Sequence, residues 1–370
     1  MSNTGVISMG VRCPIIRQGD NLVDIVIENV KKTLEENHMS LEDKDVIGIT
    51  ESVVARTQGN YVTIDDIVES IREVTNGKKD IVLVEPIMSR NRFAMILKAF
   101  ARYADNITII HGGKVDQQGN PTWKPNPFTG VDIDKYYKQI CEQEGATYNH
   151  TTEEELNKML FSWKGNSNRF IIDARCHPIS FAVPTLASFM IHPITRNDGT
   201  KSGYNNTWGL LGSNKADEET LKLFPRQGAA QKLVQEIQKR LHNETGKWVE
   251  VLIYGDGCFK DPVGGILEFA DPVTCPAYTK GLEGTPNEIK IKAFADDKFS
   301  GLNGSELQEA IQNEIKTKDN NLVGNMASQG TTPRRYIDLL ASLFDLTSGS
   351  GDKGTPVILC KNYFKNYATD

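Results

Sequence analysis

The chain has 370 residues, 39% of them hydrophobic and 24% charged, with a formal net charge of −6 and a pI near 5.7. That composition can bury a core and excludes a disordered chain. The length favours two domains, or one domain with a large insertion. The acidic balance argues against a nucleic-acid binder, whose contact face is basic.

No apolar run approaches the roughly 20 residues of a membrane helix. The longest, Ile179–Ile194, is broken by Ser180, Pro184 and Ser188. The opening MSNTGVISMG has neither a basic head nor an apolar run, so no secretory signal is expected. Six cysteines (Cys13, Cys141, Cys176, Cys258, Cys275, Cys360) form no CxxC pair. That pattern fits reduced thiols in a cytoplasmic protein better than disulfides or a zinc knuckle.

Taken in order, Val6–Ile16 reads as a strand. Asp20 is positioned to cap a helix over Asn21–Glu36, where Leu22, Val26, Val30 and Leu34 recur at helical spacing. Asp45–Thr50 is a short buried strand, and Thr63 to Asp66 has the form of a capping box ahead of a helix over Ile67–Val74, stopped by Gly77. A continuous apolar strand over Asp80–Pro86, a helix over Arg92–Tyr103 and a strand over Ile107–His111 follow. Buried strands alternating with helices predict parallel pairing and an α/β fold with mixed sheets.

Residues 112–130 form a long loop with three prolines, a length that in a compact domain is either functional or mobile. Helices are predicted over Ile133–Gln143 and Glu153–Phe161, a strand over Phe170–Ala174, and irregular chain over Cys176–Trp208. A helix over Gln227–Leu241, a strand over Trp248–Tyr254, an alternating strand over Glu288–Ala295, helices over Ser305–Thr317 and Thr332–Leu346 and a strand over Pro356–Lys361 complete the chain.

Several stretches carry polar groups at element ends. Tyr254-Gly-Asp-Gly-Cys258 places Asp256 between two glycines at the end of a strand. Carboxylates at strand carboxyl ends are where α/β proteins set ligand groups, and Mg²⁺ or Mn²⁺ seeks such oxygens together with substrate phosphates. The same residues also suit a tight hairpin turn. The glycine-rich stretch Leu346–Val357 exposes backbone N–H groups, and Lys353 can meet a phosphate. It runs from helix to strand and lacks Walker A spacing, so a flexible connector is the competing reading. Ser52 and Arg56, just past the strand ending at Thr50, are potential phosphate donors or ordinary surface polars. Ser213 or Asn214 in Gly209–Asn214 can cap a following helix or hold an anion. Cys176 and His177 are adjacent and point to opposite faces of a strand, which disfavours a thiolate–imidazole pair. No HExxH, CxxC or GxSxG motif appears.

Singly these signals are weak; their order is not. A Pro14-containing first strand leads into the Gly19-Asp-Asn-Leu22 helix start, then to Asp45–Asn60, to Gly209–Asn214, to Val251–Gly265 and to Gly349–Leu359. This order resembles the F420-0:gamma-glutamyl ligase family over roughly residues 10–75 and 205–360. The resemblance implies amide-bond formation between a carboxylate acceptor and an amino acid such as glutamate, with GTP (or ATP) and Mg²⁺ or Mn²⁺, through an acyl phosphate. It further implies a homodimer, while the acidic charge and the lack of a long apolar run give no expectation of nucleic-acid or membrane partners. Carried over by position, Pro14, Ile15, Ile16, Ser52, Arg56, Asn214, Gly349, Ser350, Gly351 and Lys353 would contact the nucleotide, and Asp256 and Asp352 would bind metal. No catalytic residue is assigned.

The departures are as informative. Leu211 stands where the family has a metal-binding aspartate, and Arg56 where it has lysine. Residues 76–204 form a longer segment than the family carries, so 1–75 with 205–370 is expected to be the shared core and 76–204 an insertion. Its aromatic residues Trp123, Phe128, Tyr136 and Tyr137 offer either an acceptor pocket or packing. Three functions follow: a nucleotide- and metal-dependent ligase, a nucleotide- or metabolite-binding protein that has lost catalysis, and, more weakly supported, a metal-dependent hydrolase.

Overall fold

The computed structural model describes residues 4–84, 92–110, 132–151, 168–173, 214–223, 225, 227–260, 267–322, 324–328, 334–348 and 352–369. In chain order the elements begin with β1 (Ile7–Val11), α1 (Leu22–Glu36), β2 (Val46–Thr50), α2 (Glu51–Thr57), β3 (Tyr61–Thr63), α3 (Ile64–Thr75), β4 (Asp80–Val84), α4 (Arg92–Tyr103) and β5 (Asn106–Ile110). There follow α5 (Ile133–Gln143), β6 (Thr147–Thr151), β7 (Arg169–Asp173), β8 (Asn214–Lys215), β9 (Thr220–Lys222) and α6 (Gln227–Thr245). The last are β10 (Glu250–Lys260), β11 (Leu267–Tyr278), α7 (Ile291–Asp296), α8 (Gly304–Thr317), α9 (Tyr336–Ser348) and β12 (Val357–Lys361). The fold is α/β, with two compact units. One comprises Met1–Val54, Gly228–Asp256 and Asp271–Asp370, the other Ala55–Gln227 and Gly257–Ala270.

The first unit is built on a sheet of order β1-β12-β2-β10-β11. β2 and β10 pair in parallel, and β12 runs antiparallel to both β1 and β2. Apolar residues on both faces suit a strand covered on both sides. Ile47, Ile49, Val251, Ile253, Val357 and Leu359 share one core with Val26 and Val30 of α1 and Val234 and Ile237 of α6. The alternate residues Val46, Leu252, Tyr254, Ile358 and Cys360 share another with Leu340 and Phe344 of α9. The sheet is therefore sandwiched between helices, as the period-two alternation of strand side chains requires. Gly48 makes room for α9: a Cβ there would stand 2.1 Å from the Phe344 ring. Farther along the chain, α7 and α8 enclose a small core of Ile289, Ile311, Ile315 and Leu322.

The second unit carries a parallel sheet of order β6-β5-β4-β7 and a small antiparallel sheet β3-β9-β8. Phe93, Ile96 and Phe100 of α4 pack in its core with Ile67 and Ile71 of α3 and Tyr137 of α5. Phe93 and Tyr137 meet edge to face with ring centroids 5.4 Å apart. Tyr137 is fully buried, so packing accounts for it. Trp123 and Phe128 lie outside the described residues, as do the 112–130 loop, the predicted helix over Glu153–Phe161 and Cys176–Trp208.

Several expectations need correction. Asn21, not Asp20, caps α1: its side chain accepts from the Asp24 N–H, while Asp20 Oδ2 instead accepts from the Arg17 N–H at 2.6 Å. The Thr63–Asp66 capping box is present, but α3 starts at Ile64 and turns left-handed at Asn76 rather than first at Gly77. Residues 291–296 are helical, not extended, because Ile289 docks with α8 in a helical cluster and tertiary burial overrides local alternation. No helix follows Asn214; it opens a two-stranded antiparallel pair with β9. The first strand stops at Val11. The Gly-Asp-Gly stretch is not a turn, because β10 runs through it to Lys260. β6 and β11 are strands that the sequence pattern did not announce.

Candidate functional site

The strand directions bring the carboxyl ends of β1 and β2, the amino end of β12 and the Tyr254 position of β10 to one edge of the first unit's sheet. Val11, Val357, Ile49 and Ile253 are register partners across that sheet. One residue further, Thr50 pairs with Tyr254 and donates its N–H to the Pro356 carbonyl at 2.9 Å. One further still, the Cys13 N–H donates to the Gly354 carbonyl at 3.1 Å. The segments after β1 and before β12 and the β2–α2 junction thus leave the sheet along a common edge, past which β10 runs on through Gly255 and Asp256. Ligands of open α/β sheets bind outside the carboxyl ends of parallel strands.

Along this edge Pro14 is exposed and Ile15 is 80% exposed, whereas Ile16 is 4% exposed and packs with Leu22 and Val23 of α1. Asp352 and Lys353 are exposed on the turn before β12, and Gly354 takes a left-handed φ of +67°. Gly349, Ser350 and Gly351 lie outside the described residues. Ser52 is half-buried in the first turn of α2, and Arg56 is exposed one turn later, at the i, i+4 spacing that shares a helix face. Asp256 lies within β10 and Asn214 within β8; their side chains are outside what the structure describes.

Glu51 was not singled out in the sequence. It is the first residue of α2 and only 2% exposed. Its side chain occupies the space that a substituent on Gly255 would fill: a Cβ there would stand 1.9 Å from Glu51 Cγ and 2.9 Å from Glu51 Cβ. The available signal was a carboxylate at a strand–helix junction combined with a glycine in the neighbouring strand, legible only with the β2–β10 register known.

Other titratable groups here are structural. Burial pushes the Tyr254 phenol up to about 12, and its ring meets Phe344 edge to face at 5.8 Å. Burial likewise pushes the Cys13 thiol up to about 11 and the Cys360 thiol up to about 12. Such thiols stay protonated near neutrality and make poor nucleophiles. A cavity of about 690 Å³ lies between α7, α8 and the 319–327 segment, lined by Phe294, Lys298, Glu314, Lys318 and Met326 among others. No residue of the strand edge lines it.

Among the described residues, no three His, Cys, Asp or Glu side chains gather as a metal-binding group. That does not conflict with Mg²⁺ or Mn²⁺, which is commonly held by one or two carboxylates plus substrate phosphates and water. The acids that this edge carries, Glu51, Asp256 and Asp352, are hard oxygen donors of the required kind. Among the described residues, no helix is long and apolar enough to cross a membrane.

The sequence profile of the F420-0:gamma-glutamyl ligase family matches residues 10–362. The match therefore also runs through residues 76–204. A 92-residue stretch is 27% identical to the coenzyme F420:L-glutamate ligase of Methanosarcina acetivorans, covering 24% of this chain and 33% of that protein. The alignment thus spans about a third of the length of that relative. The chain belongs to the F420-0:gamma-glutamyl ligase family.

Proposed function

From this family membership, we propose that the protein is a nucleotide- and divalent-metal-dependent ligase. It joins the amine of an amino acid such as glutamate to a carboxylate acceptor by an amide bond. The observation that carries the proposal is the convergence of Cys13–Ile16, Glu51–Ser52, Gly255–Asp256 and Asp352–Gly354 on one sheet edge. Such chemistry is mostly positioning and charge neutralisation, so it needs phosphate donors and carboxylates beside one another.

In this reading Pro14 and Ile15 border the base, while Ser52, Lys353 and the backbone N–H groups of residues 349–354 hold phosphate oxygens. Asp256 and Asp352 hold the cation, which when bound neutralises the phosphoryl group being transferred. The acceptor carboxylate attacks the γ-phosphoryl group, releasing the nucleoside diphosphate. The amine then displaces phosphate from the acyl phosphate, and its surplus proton leaves to solvent. Leu211, in place of a family aspartate, sets the protein apart, and we take its acceptor to differ from the deazaflavin precursor. The active form in this proposal is a homodimer.

A second reading, a nucleotide-binding protein without catalysis, is favoured specifically by Leu211. Incubation with GTP or ATP, Mn²⁺, glutamate and a panel of carboxylates separates the two. The ligase reading expects phosphate release that requires both acceptor and amine, with a product heavier than the acceptor by glutamate less water. Nucleotide binding without any such turnover across the panel would favour the second reading. Acceptor hydrolysis that proceeds without nucleotide would contradict both.

A further inference from the structure

We propose that the cavity between α7, α8 and residues 319–327 binds a linear aliphatic polyamine, an apolar chain carrying several ammonium groups. The site is independent of the ligase reading and goes beyond it, since no residue of the sheet edge lines it. Its volume of about 690 Å³ falls within the range of small-molecule sites. Its floor is apolar. Ile289 and Leu322 belong to the buried cluster with Ile311 and Ile315 of α8, and Phe294 and Ala327 pack against that cluster. Met326 lines the cavity too and is 73% exposed. A methylene chain laid on this floor removes apolar surface from water on the ligand and on the protein.

The polar lining selects for cations. Asp296, Asp297, Glu314 and Asp319 share it with two lysines, and both lysines are already engaged. Lys298 Nζ meets Glu314 Oε2 at 2.8 Å, and Lys318 Nζ donates to the Asn287 carbonyl. The carboxylates of Asp296, Asp297 and Asp319 have no charged partner among the described residues. The end of α8 adds to this: Thr317, its last residue, lines the cavity, and the carbonyl groups at a helix carboxyl end attract cations. An anion is therefore disfavoured. A bare divalent ion does not fit either, because among the described residues no three acids gather closely enough to ligate one. Acids spread around one apolar cavity match ammonium charges spread along one chain.

The test is titration of spermidine into the full chain, isotope-labelled at its methionine methyl groups, at constant ionic strength. The Met326 methyl resonance, identified by its loss in Met326→Leu, should shift saturably. Asp297→Asn combined with Asp319→Asn should weaken binding by about fivefold or more, with an unchanged circular dichroism spectrum. Hexaamminecobalt(III) carries the same charge as spermidine without the methylene chain, and should leave the Met326 resonance in place. That comparison uses the wild type alone and does not depend on a folded variant. A Met326 resonance that spermidine does not move, or moves without saturation, overturns the assignment. An equal shift with hexaamminecobalt(III) also overturns it, marking general attraction to an acidic surface. Wild-type spermidine affinity in the folded double variant does the same. None of these outcomes touches the ligase reading, which nucleotide and metal binding test separately.

Discussion

The backbone N–H of Cys13 donates to the carbonyl of Gly354 at 3.1 Å, tying the segment after β1 to the turn before β12. Gly354 accepts that bond from a left-handed conformation, φ +67°. A side chain there costs roughly 1–2 kcal/mol in backbone strain. Gly354→Ala should therefore lower stability by about that amount and, on the ligase reading, weaken nucleotide binding. Urea titration and calorimetry read the two effects separately. Unchanged affinity in a destabilised variant would remove this turn from the nucleotide site.

Gly48 of β2 lies against Phe344 of α9, since a Cβ on Gly48 would fall 2.1 Å from the ring. Overpacking of this kind costs about 1–3 kcal/mol or more. Gly48→Ala should lower the thermal midpoint by several degrees, and Phe344→Leu in the same chain should recover part of the loss. An unshifted midpoint in Gly48→Ala would mean that α9 does not pack on β2 as described.

Lys361 Nζ meets Asp45 Oδ2 at 2.6 Å and the Ser40 carbonyl at 2.7 Å, with both charged side chains buried. Removing one member of such a pair strands the other charge, at about 3–5 kcal/mol. Lys361→Met should therefore be strongly destabilising, and adding Asp45→Asn should restore much of the loss. Equal stability of Lys361→Met and the wild type in urea would contradict the burial of this pair.

In the second unit, hydrogen bonds from Arg102 and Lys98 hold the Glu219 carboxyl down from its ordinary 4.5 to about 2. Its folded value is depressed, so its contribution is fully present above about 4.5 and is lost as pH falls from there through about 2. Glu219 is half exposed, and solvent screening limits the contribution to under about 1 kcal/mol. Glu219→Gln should lower stability slightly at pH 7 and make no difference near pH 2. A variant effect of the same size at both pH values would show that the carboxylate's charge is not what matters.

The alternation of buried strands and helices in residues 46–110 was legible, because continuous apolar runs and a capping box state their partners locally. The 291–296 segment was not: its alternation belongs to a short helix whose partly buried Phe294 and Ala295 pack against the cluster of Ile311 and Ile315 on α8. The edge strand β6, Thr147–Thr151, holds Thr, Tyr, Asn, His and Thr and so gave no apolar run to detect. The site was legible as segments rather than as residues. Thr50–Ser52 and Tyr254–Asp256 each stood out, but nothing in either shows that Glu51 lies against Gly255, which only the β2–β10 register reveals. Ile15 and Ile16 looked alike in sequence, yet one is exposed and the other belongs to the core.

Calorimetric titration of GTP and of ATP into the full chain, each with and without Mn²⁺, tests the central claim most directly. The account predicts nucleotide binding in the micromolar range that requires the metal. Absence of binding for both nucleotides under every condition would contradict it, and would mean that the sheet edge of Cys13, Glu51, Gly255 and Gly354 serves another purpose.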